Sequence, residues 1–236
     1  MSLVKSLPSV PTTIIFDLDD TLYSKAEVFS QTFAQYATCD LSKEDLYDCY
    51  ATFSDEAFRL HEDGQITLAE SRVYRLKKLF EALHQPQTND IYHEFAQKYI
   101  DKMSHLELSP DWQEVLHILH NKGYTLGILT NGPSHHQRNK LESLHIAPLI
   151  PKENWFISGE LDLQKPDPAI FEKVAQRLQV SAKDCLMIGD SYQNDMLGAK
   201  NSHWQGIMYW EHAKTPTTDE GTFLTVHSPQ ELLNYL

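Results

Sequence analysis

The chain has 236 residues and 41% hydrophobic content, enough to bury one large domain or one domain with a smaller insert. Asp and Glu number 33 against 20 Lys and Arg, so the formal charge of -13 argues against binding to a nucleic-acid polymer or an acidic membrane surface. The first residues, MSLVKSLPSVPTTIIF, lack a signal peptide's apolar core, and the three cysteines show no CxxC spacing. We therefore expect a cytoplasmic protein with reduced thiols and no membrane span.

Short apolar runs predict the buried strands of a parallel sheet. They lie at 13–18, 125–130, 155–158, 185–189 and 206–210, with a weaker run at 223–226. Helical patterns alternate with them at 111–121, 134–144, 168–178 and 193–201. This alternation is typical of an α/β fold whose sheet is covered on both faces.

The interval from about 26 to 103 breaks the alternation. It contains amphipathic helical patterns at 43–61, 68–83 and 90–103 and no convincing strand. We predict an all-helical domain at 25–104, inserted into a core formed by 1–24 and 105–236. The insert starts at the carboxyl end of the first strand, where α/β sheets place ligands, so we expect it to act as a lid. The segment 214–221 is predicted to be a mobile surface loop.

The first strand runs into a cluster of acidic residues, IIFDLDDTLY, with carboxylates at Asp17, Asp19 and Asp20. A calcium loop would need Gly at its sixth position and Glu at its twelfth, which here hold Leu22 and Val28. The sequence therefore does not fit a calcium loop. The other structural explanation of the three carboxylates is that acidic residues simply end the strand.

Polar residues also follow later strands. The second strand ends in Thr130-Asn131-Gly132, which offers a hydroxyl, an amide and a glycine that lets a bound group approach the backbone. Lys165 stands in QKPDPAIF, before a helix that begins near Pro168. Taken singly, such a tripeptide is common in turns, and such a lysine is common on surfaces.

The fourth strand ends in MIGDSYQND, which places Asp190, Asn194 and Asp195 in the following turn. The series DxDxT, a strand-end hydroxyl, a lysine and GDxxxND resembles the haloacid dehalogenase superfamily over nearly the whole chain. The resemblance implies a Rossmann-like, doubly wound parallel sheet with an inserted helical cap. Within the insert, GQIT at 64–67 and the Arg-bearing helix after it resemble the pyrimidine 5'-nucleotidase-like branch.

The resemblance also implies roles for the acidic residues. Asp17 would be the nucleophile that forms an aspartyl phosphate, and Asp19 would protonate the leaving oxygen and then activate water. Mg²⁺ would be held by the Asp17 carboxylate, the Asp19 backbone carbonyl and the Asp190 carboxylate.

The other motif residues would bind phosphate or support the site. Thr130, Asn131, Gly132 and Lys165 would surround the transferring phosphoryl group, whose oxygens Thr130, the Asn131 backbone amide and Lys165 would neutralise. Thr21 would fix the turn after the first strand through a hydrogen bond to backbone. Asn194 and Asp195 would be supporting groups, with Asp195 orienting Lys165 or a metal-bound water.

We therefore expect a magnesium-dependent phosphatase acting on a small phosphorylated metabolite, such as a nucleoside monophosphate or a sugar phosphate. Dehalogenases of this superfamily lack the second acid at the position of Asp19, so that residue favours phosphoryl transfer. Two alternatives stay open: a phosphomutase with the same catalytic residues, and a binding or regulatory protein that has lost catalysis. The sequence leaves the oligomeric state and the physiological substrate open.

Overall fold

The computed structural model describes residues 6–210 and 223–236, so the predicted loop at 214–221 lies outside the described residues. The chain divides into two compact units. One is formed by Met1–Tyr23 and Leu106–Leu236, and we call it the core unit. The other, Ser24–His105, is the helical unit.

The core unit is built on a six-stranded, wholly parallel sheet. The strands are β1 Thr13–Phe16, β2 Thr125–Thr130, β3 Trp155–Ile157, β4 Cys185–Gly189, β5 Gln205–Tyr209 and β6 Leu224–Val226. Their spatial order is β3-β2-β1-β4-β5-β6, so the chain starts in the middle of the sheet and crosses over in both directions. The central strands are largely apolar and buried, as expected for a sheet covered on both faces. The predicted α/β fold is confirmed.

Helices connect the strands of the core unit. In chain order they are α6 Pro110–Asn121, α7 Ser134–Ser143, α8 Ser158–Leu161, α9 Pro168–Leu178 and α10 Leu197–Asn201. The start of α9 follows from its sequence, because the Asp167 side chain accepts a hydrogen bond from the Ala169 N–H and Pro168 occupies the first helical position. A short 3₁₀ segment, Pro229–Asn234, lies near the end of the chain.

One predicted helix of the core unit is wrong in part. The pattern at 193–201 predicts a single α-helix, but Tyr192–Met196 forms a π-helical turn and only Leu197–Asn201 is α-helical. The Ser191 carbonyl accepts hydrogen bonds from the N–H groups of both Asp195 and Met196, which widens the turn. The Asp195 side chain, which lies in this turn, is buried.

The helical unit contains α1 Lys25–Phe33, α2 Lys43–Thr52, α3 Ser54–Glu62, α4 Leu68–Ala82 and α5 Asn89–Met103. Its core is largely aromatic, with Phe29 stacked on Tyr50 and tilted against Phe95. The predicted continuous helix at 43–61 is wrong, because the backbone of Phe53 leaves the helical conformation between α2 and α3. In the part of the chain that the structure describes, no helix combines the length and the apolar character needed to cross a membrane.

Candidate active site

Three of the predicted site residues lie at the carboxyl ends of three adjacent strands, at one edge of the sheet. Asp17 directly follows β1, Thr130 ends β2, and Asp190 directly follows β4. Because β2, β1 and β4 are neighbours and run parallel, their carboxyl ends lie side by side. This edge is where open α/β sheets place ligands.

A buried ion cluster lies at this edge. The Lys165 ammonium is 2.5 Å from Asp17 Oδ1 and 2.6 Å from Asp195 Oδ1. The exposed fractions are 3% for Lys165, 6% for Asp17 and 0% for Asp195. Buried charges need partners, and here one cation faces two carboxylates. The cluster therefore retains an excess of negative charge.

The electrostatics of the cluster follow from burial and from this imbalance. Burial raises the pKa of Asp17 from its ordinary 3.8 to about 7, Lys165 opposes the rise, and the carboxylates of Asp195 and Asp19 add to it. Burial would lower the pKa of Lys165, but attraction to Asp17 and Asp195 outweighs that effect and raises it. Lys165 is thus held as a cation.

The carboxylates also suit a hard divalent cation. Asp17, Asp190 and Asp195 each offer one oxygen, and these oxygens all lie within 4.8 Å of one another. Carboxylate oxygens are the ligands that Mg²⁺ prefers, and a bound cation would offset the excess negative charge. This set of side chains differs from the predicted ligands, which include the Asp19 carbonyl and leave Asp195 in a supporting role.

The side chain of Asn131 fixes the backbone of Lys165. Its Oδ1 accepts from the Lys165 N–H at 2.9 Å, and its Nδ2 donates to the Lys165 carbonyl at 2.9 Å. The two bonds connect the end of β2 to the loop that carries the lysine. Sequence reasoning missed this contact, because a TNG tripeptide predicts a turn but does not specify its partner.

Gly132 lies in the same loop at a φ of +149°, and its N–H donates to Ser158 Oγ at 2.9 Å. A Cβ atom at this position would lie 3.1 Å from Cγ and Cδ of Gln137. The glycine therefore leaves room for the Gln137 side chain beside Thr130 and Asn131.

Asp19 has partners that the sequence analysis did not identify. Lys140 Nζ lies 2.7 Å from its Oδ1, Gln137 Nε2 donates to its Oδ2 at 3.0 Å, and the Tyr23 hydroxyl donates to its Oδ1. Gln137 and Lys140 are three residues apart on α7 and so lie on one face of that helix. Their spacing of three residues, on the helix that follows the TNG turn, is the sequence feature that could have indicated this contact.

Of the predicted supporting residues, Thr21 lies in the turn after β1, and Asn194 and Asp195 lie in the π-helical turn after β4. The Thr21 hydroxyl donates to Asp190 Oδ1 at 3.4 Å, whereas a bond to backbone was expected. Asp195 Oδ2 accepts from the Ser191 N–H at 3.0 Å, while its Oδ1 contacts Lys165. Asn194 contributes a backbone contact, in which its N–H donates to Ser191 Oγ at 3.2 Å.

Comparisons with known proteins agree with this architecture. A family model described as haloacid dehalogenase-like hydrolase matches residues 11–203. The pyrimidine 5'-nucleotidase PynA of Streptococcus pneumoniae is 27% identical over 228 residues, covering 94% of this chain and 94% of that protein. The glyceraldehyde 3-phosphate phosphatase of Pyrococcus abyssi is 29% identical over 192 residues, covering 80% of this chain and 76% of that protein.

The fold is also that of a solved structure. The HAD-hydrolase YfnB from Bacillus subtilis, crystallised with bound magnesium, superposes with a TM-score of 0.69 at 23% identity. The match covers 96% of this chain and 98% of that one. At 23% identity, this similarity shows only that the two proteins share a fold.

Proposed function

Because the chain belongs to the haloacid dehalogenase-like hydrolase family, we propose that it is a Mg²⁺-dependent phosphatase that works through an aspartyl phosphate on Asp17. The observation that carries this proposal is the buried Asp17–Lys165–Asp195 cluster at the carboxyl edge of the sheet, with Asp190 beside it. We take this carboxylate, which is held against a cation at the end of β1, as the nucleophile that attacks the anionic phosphoryl group.

The proposed reaction has two displacements. An Asp17 oxygen bonds to phosphorus as the bond from phosphorus to the substrate's ester oxygen breaks, and the Asp19 carboxyl gives that leaving oxygen its proton. Asp19, now ionised, takes a proton from water as the water oxygen bonds to the same phosphorus. The bond between Asp17 and phosphorus then breaks, and inorganic phosphate leaves.

Asp19 separates this reaction from dehalogenation. Halide leaves without a proton, whereas the alkoxide of a phosphate ester is a poor leaving group that a general acid helps to depart. Asp19 Oδ2 accepts from Gln137 Nε2, which also lies 2.6 Å from Thr130 Oγ1, so Asp19 lies beside the proposed phosphate-binding loop.

Asp17, Asp190 and the backbone carbonyl of Asp19 are the proposed ligands of Mg²⁺, with Asp195 near enough to join them or to hold a coordinated water. When bound there, Mg²⁺ supplies the positive charge that lets an anionic nucleophile approach an anionic phosphoryl group. The Lys165 ammonium would offset the charge of the remaining phosphoryl oxygens, and the Thr130 hydroxyl and the Asn131 backbone N–H would donate hydrogen bonds to them.

We propose a small phosphorylated metabolite as the substrate, either a nucleoside monophosphate or a sugar phosphate. The names of the two relatives, a pyrimidine nucleotidase and a triose-phosphate phosphatase, support these two classes. We also propose that the helical unit serves as the family's cap domain, which would exclude macromolecular substrates.

The test is phosphate release by the purified full-length chain. The panel contains nucleoside monophosphates, sugar phosphates and an aryl phosphate, each with Mg²⁺ or with EDTA. We expect release that needs both Mg²⁺ and Asp17, so that Asp17→Asn, a nearly isosteric change, loses it while its circular dichroism is unchanged.

Asp184→Asn is the matched control, because Asp184 precedes β4 at the strand end opposite to Asp190. Release by Asp17→Asn at the wild-type rate would overturn the covalent mechanism. An isomeric sugar phosphate without inorganic phosphate would indicate a phosphomutase. No turnover of any compound would favour a binding protein.

A further inference from the structure

Both oxygens of the Asp19 carboxylate are engaged by side chains of the core unit. Oδ1 contacts the Lys140 ammonium at 2.7 Å and the Tyr23 hydroxyl, and Oδ2 accepts from Gln137 Nε2 at 3.0 Å. Rotation of the carboxylate about its side-chain bonds would break these contacts. Its orientation is therefore fixed by three residues that the reaction described above does not use.

Lys140 is well placed to hold a carboxylate. Lysine ammonium groups are strongly hydrated and normally extend into water. Here the side chain of Lys140 is 14% exposed and that of Asp19 is 22% exposed, so the pair is largely shielded from solvent. The ammonium also lies 5.8 Å from the centre of the Tyr23 ring, which restricts it further.

Gln137 connects Asp19 to the proposed phosphate-binding loop. It is only 2% exposed, and its Nε2 also lies 2.6 Å from Thr130 Oγ1 and 3.2 Å from the Asn131 carbonyl. The two N–H groups of this buried amide lie within hydrogen-bond distance of three oxygens, one on the acid and two on the loop, so the amide couples the position of the acid to the position of the loop. Gly132 permits this arrangement by leaving space for the Gln137 side chain.

We propose that Lys140 and Gln137 are positioning residues that hold the Asp19 carboxyl in place for proton transfer to and from the reacting oxygens. The inference rests on the proposed phosphatase function. Proton transfer needs the donor and acceptor within hydrogen-bond reach, and a displacement of the carboxyl by about 1 Å would reduce its contribution. The role of the two residues is to prevent that displacement.

The test compares leaving groups. An alkyl phosphate needs a proton on its leaving oxygen, whereas 2,4-dinitrophenyl phosphate releases a stabilised phenolate and needs none. For Lys140→Met we expect kcat/KM to fall by about tenfold to a hundredfold with the alkyl phosphate, a part of what general acid catalysis contributes. With 2,4-dinitrophenyl phosphate, kcat/KM should stay close to the wild-type value.

The aryl substrate gives a second signature. Asp19 also activates water in the second displacement, so the kcat of Lys140→Met should fall with 2,4-dinitrophenyl phosphate although kcat/KM does not. A rapid release of dinitrophenolate before the steady state should then appear. If Lys140 served only in folding, Lys140→Met would lower the amount of active enzyme. The values of kcat and kcat/KM would then fall by the same factor with both substrates, and no burst would appear.

Three further variants complete the experiment. Lys140→Arg keeps the cation and should recover most of the alkyl phosphatase activity. Gln137→Met removes the amide with little change in volume and should show the same selectivity for the aryl substrate. Lys152→Met is the control, because Lys152 is paired with Glu142 but its side chain is 56% exposed.

Equal losses with both substrates, or no loss, in folded Lys140→Met would overturn the inference while the phosphatase activity of the wild type stands. Failure of the wild type to release phosphate from either substrate would overturn the proposed function, and this inference with it. A Lys152→Met variant that showed the same selectivity would also contradict the assignment to Lys140.

Discussion

Lys165 Nζ lies 2.6 Å from Asp195 Oδ1, although the two residues are 30 positions apart and belong to different segments of the chain. Asp195 reaches this position through the π-helical turn at Tyr192–Met196, and Lys165 reaches it through the hydrogen bonds between its backbone and Asn131. The charge arrangement at Asp17 thus depends on two local backbone features. Both can be changed by mutation.

Gly189→Ala tests the packing around Asp195. An added Cβ would collide with the Asp195 carboxylate, so we expect the free energy of unfolding to fall by about 1–3 kcal/mol, as in other overpacked cores. We expect phosphate release to fall too, because the carboxylate would move away from Lys165. Urea denaturation and steady-state assays measure the two effects.

Gly206→Ala is the matched control for that variant. Its Cβ would crowd Met196 and Phe223 at 3.0 Å without touching a site carboxylate, so stability should fall while the folded protein keeps its kcat/KM. Full activity and wild-type stability in Gly189→Ala would show that Asp195 does not need its observed position.

Lys165→Met tests the buried ion cluster. Removal of the ammonium leaves Asp17 and Asp195 without their shared cation, and breaking a buried pair in this way destabilises by about 3–5 kcal/mol. Urea denaturation in EDTA is the measurement. Lys152→Met should change the free energy of unfolding little, because its ion pair with Glu142 is exposed. Equal effects of the two substitutions would contradict the account of the cluster.

Asp190→Ala tests the proposed metal site. Loss of one of the clustered carboxylates should raise the Mg²⁺ concentration for half-maximal activity by at least about tenfold, or abolish activity. Titration of phosphate release with Mg²⁺ measures the shift, and Asp184→Asn should show none. Activity of Asp190→Ala in EDTA equal to that of the wild type in Mg²⁺ would rule out the metal assignment.

Glu160→Gln tests a surface contact that connects α7 to α8. Hydrogen bonds from Arg138 and Ser134 outweigh partial burial and hold the pKa of Glu160 below its ordinary 4.5. A lowered pKa stabilises the fold above the unfolded-state value, and this stabilisation is lost as the pH falls through the folded-state value. The stability difference between wild type and Glu160→Gln should therefore shrink as the pH falls below about 4.5.

Thermal denaturation across this pH range measures the difference. In an Arg138→Gln background, Glu160→Gln should show a smaller dependence on pH, because the main partner of the carboxylate has been removed. A difference that grew as the pH fell would contradict the sign of the shift.

The sequence predicted the strands because each is a short apolar run, and it predicted the residues at their ends because parallel strands share one functional edge. Features that depend on contacts between distant segments were not predictable in the same way. The hydrogen bonds between Asn131 and Lys165 connect residues that are 34 positions apart in the chain. The contact of Lys140 with Asp19 connects residues that are 121 positions apart. The helix break at Phe53 was missed, since the apolar pattern at 43–61 continues through it.

Trapping of the phosphorylated enzyme tests the central claim most directly. The wild-type chain is mixed with Mg²⁺ and its best substrate, stopped in acid during the steady state, digested and examined by mass spectrometry. We predict a peptide that carries one phosphoryl group on Asp17 and that is absent from Asp17→Asn. Turnover in which the phosphoryl group resides on another residue, or undiminished turnover by Asp17→Asn, would contradict the account.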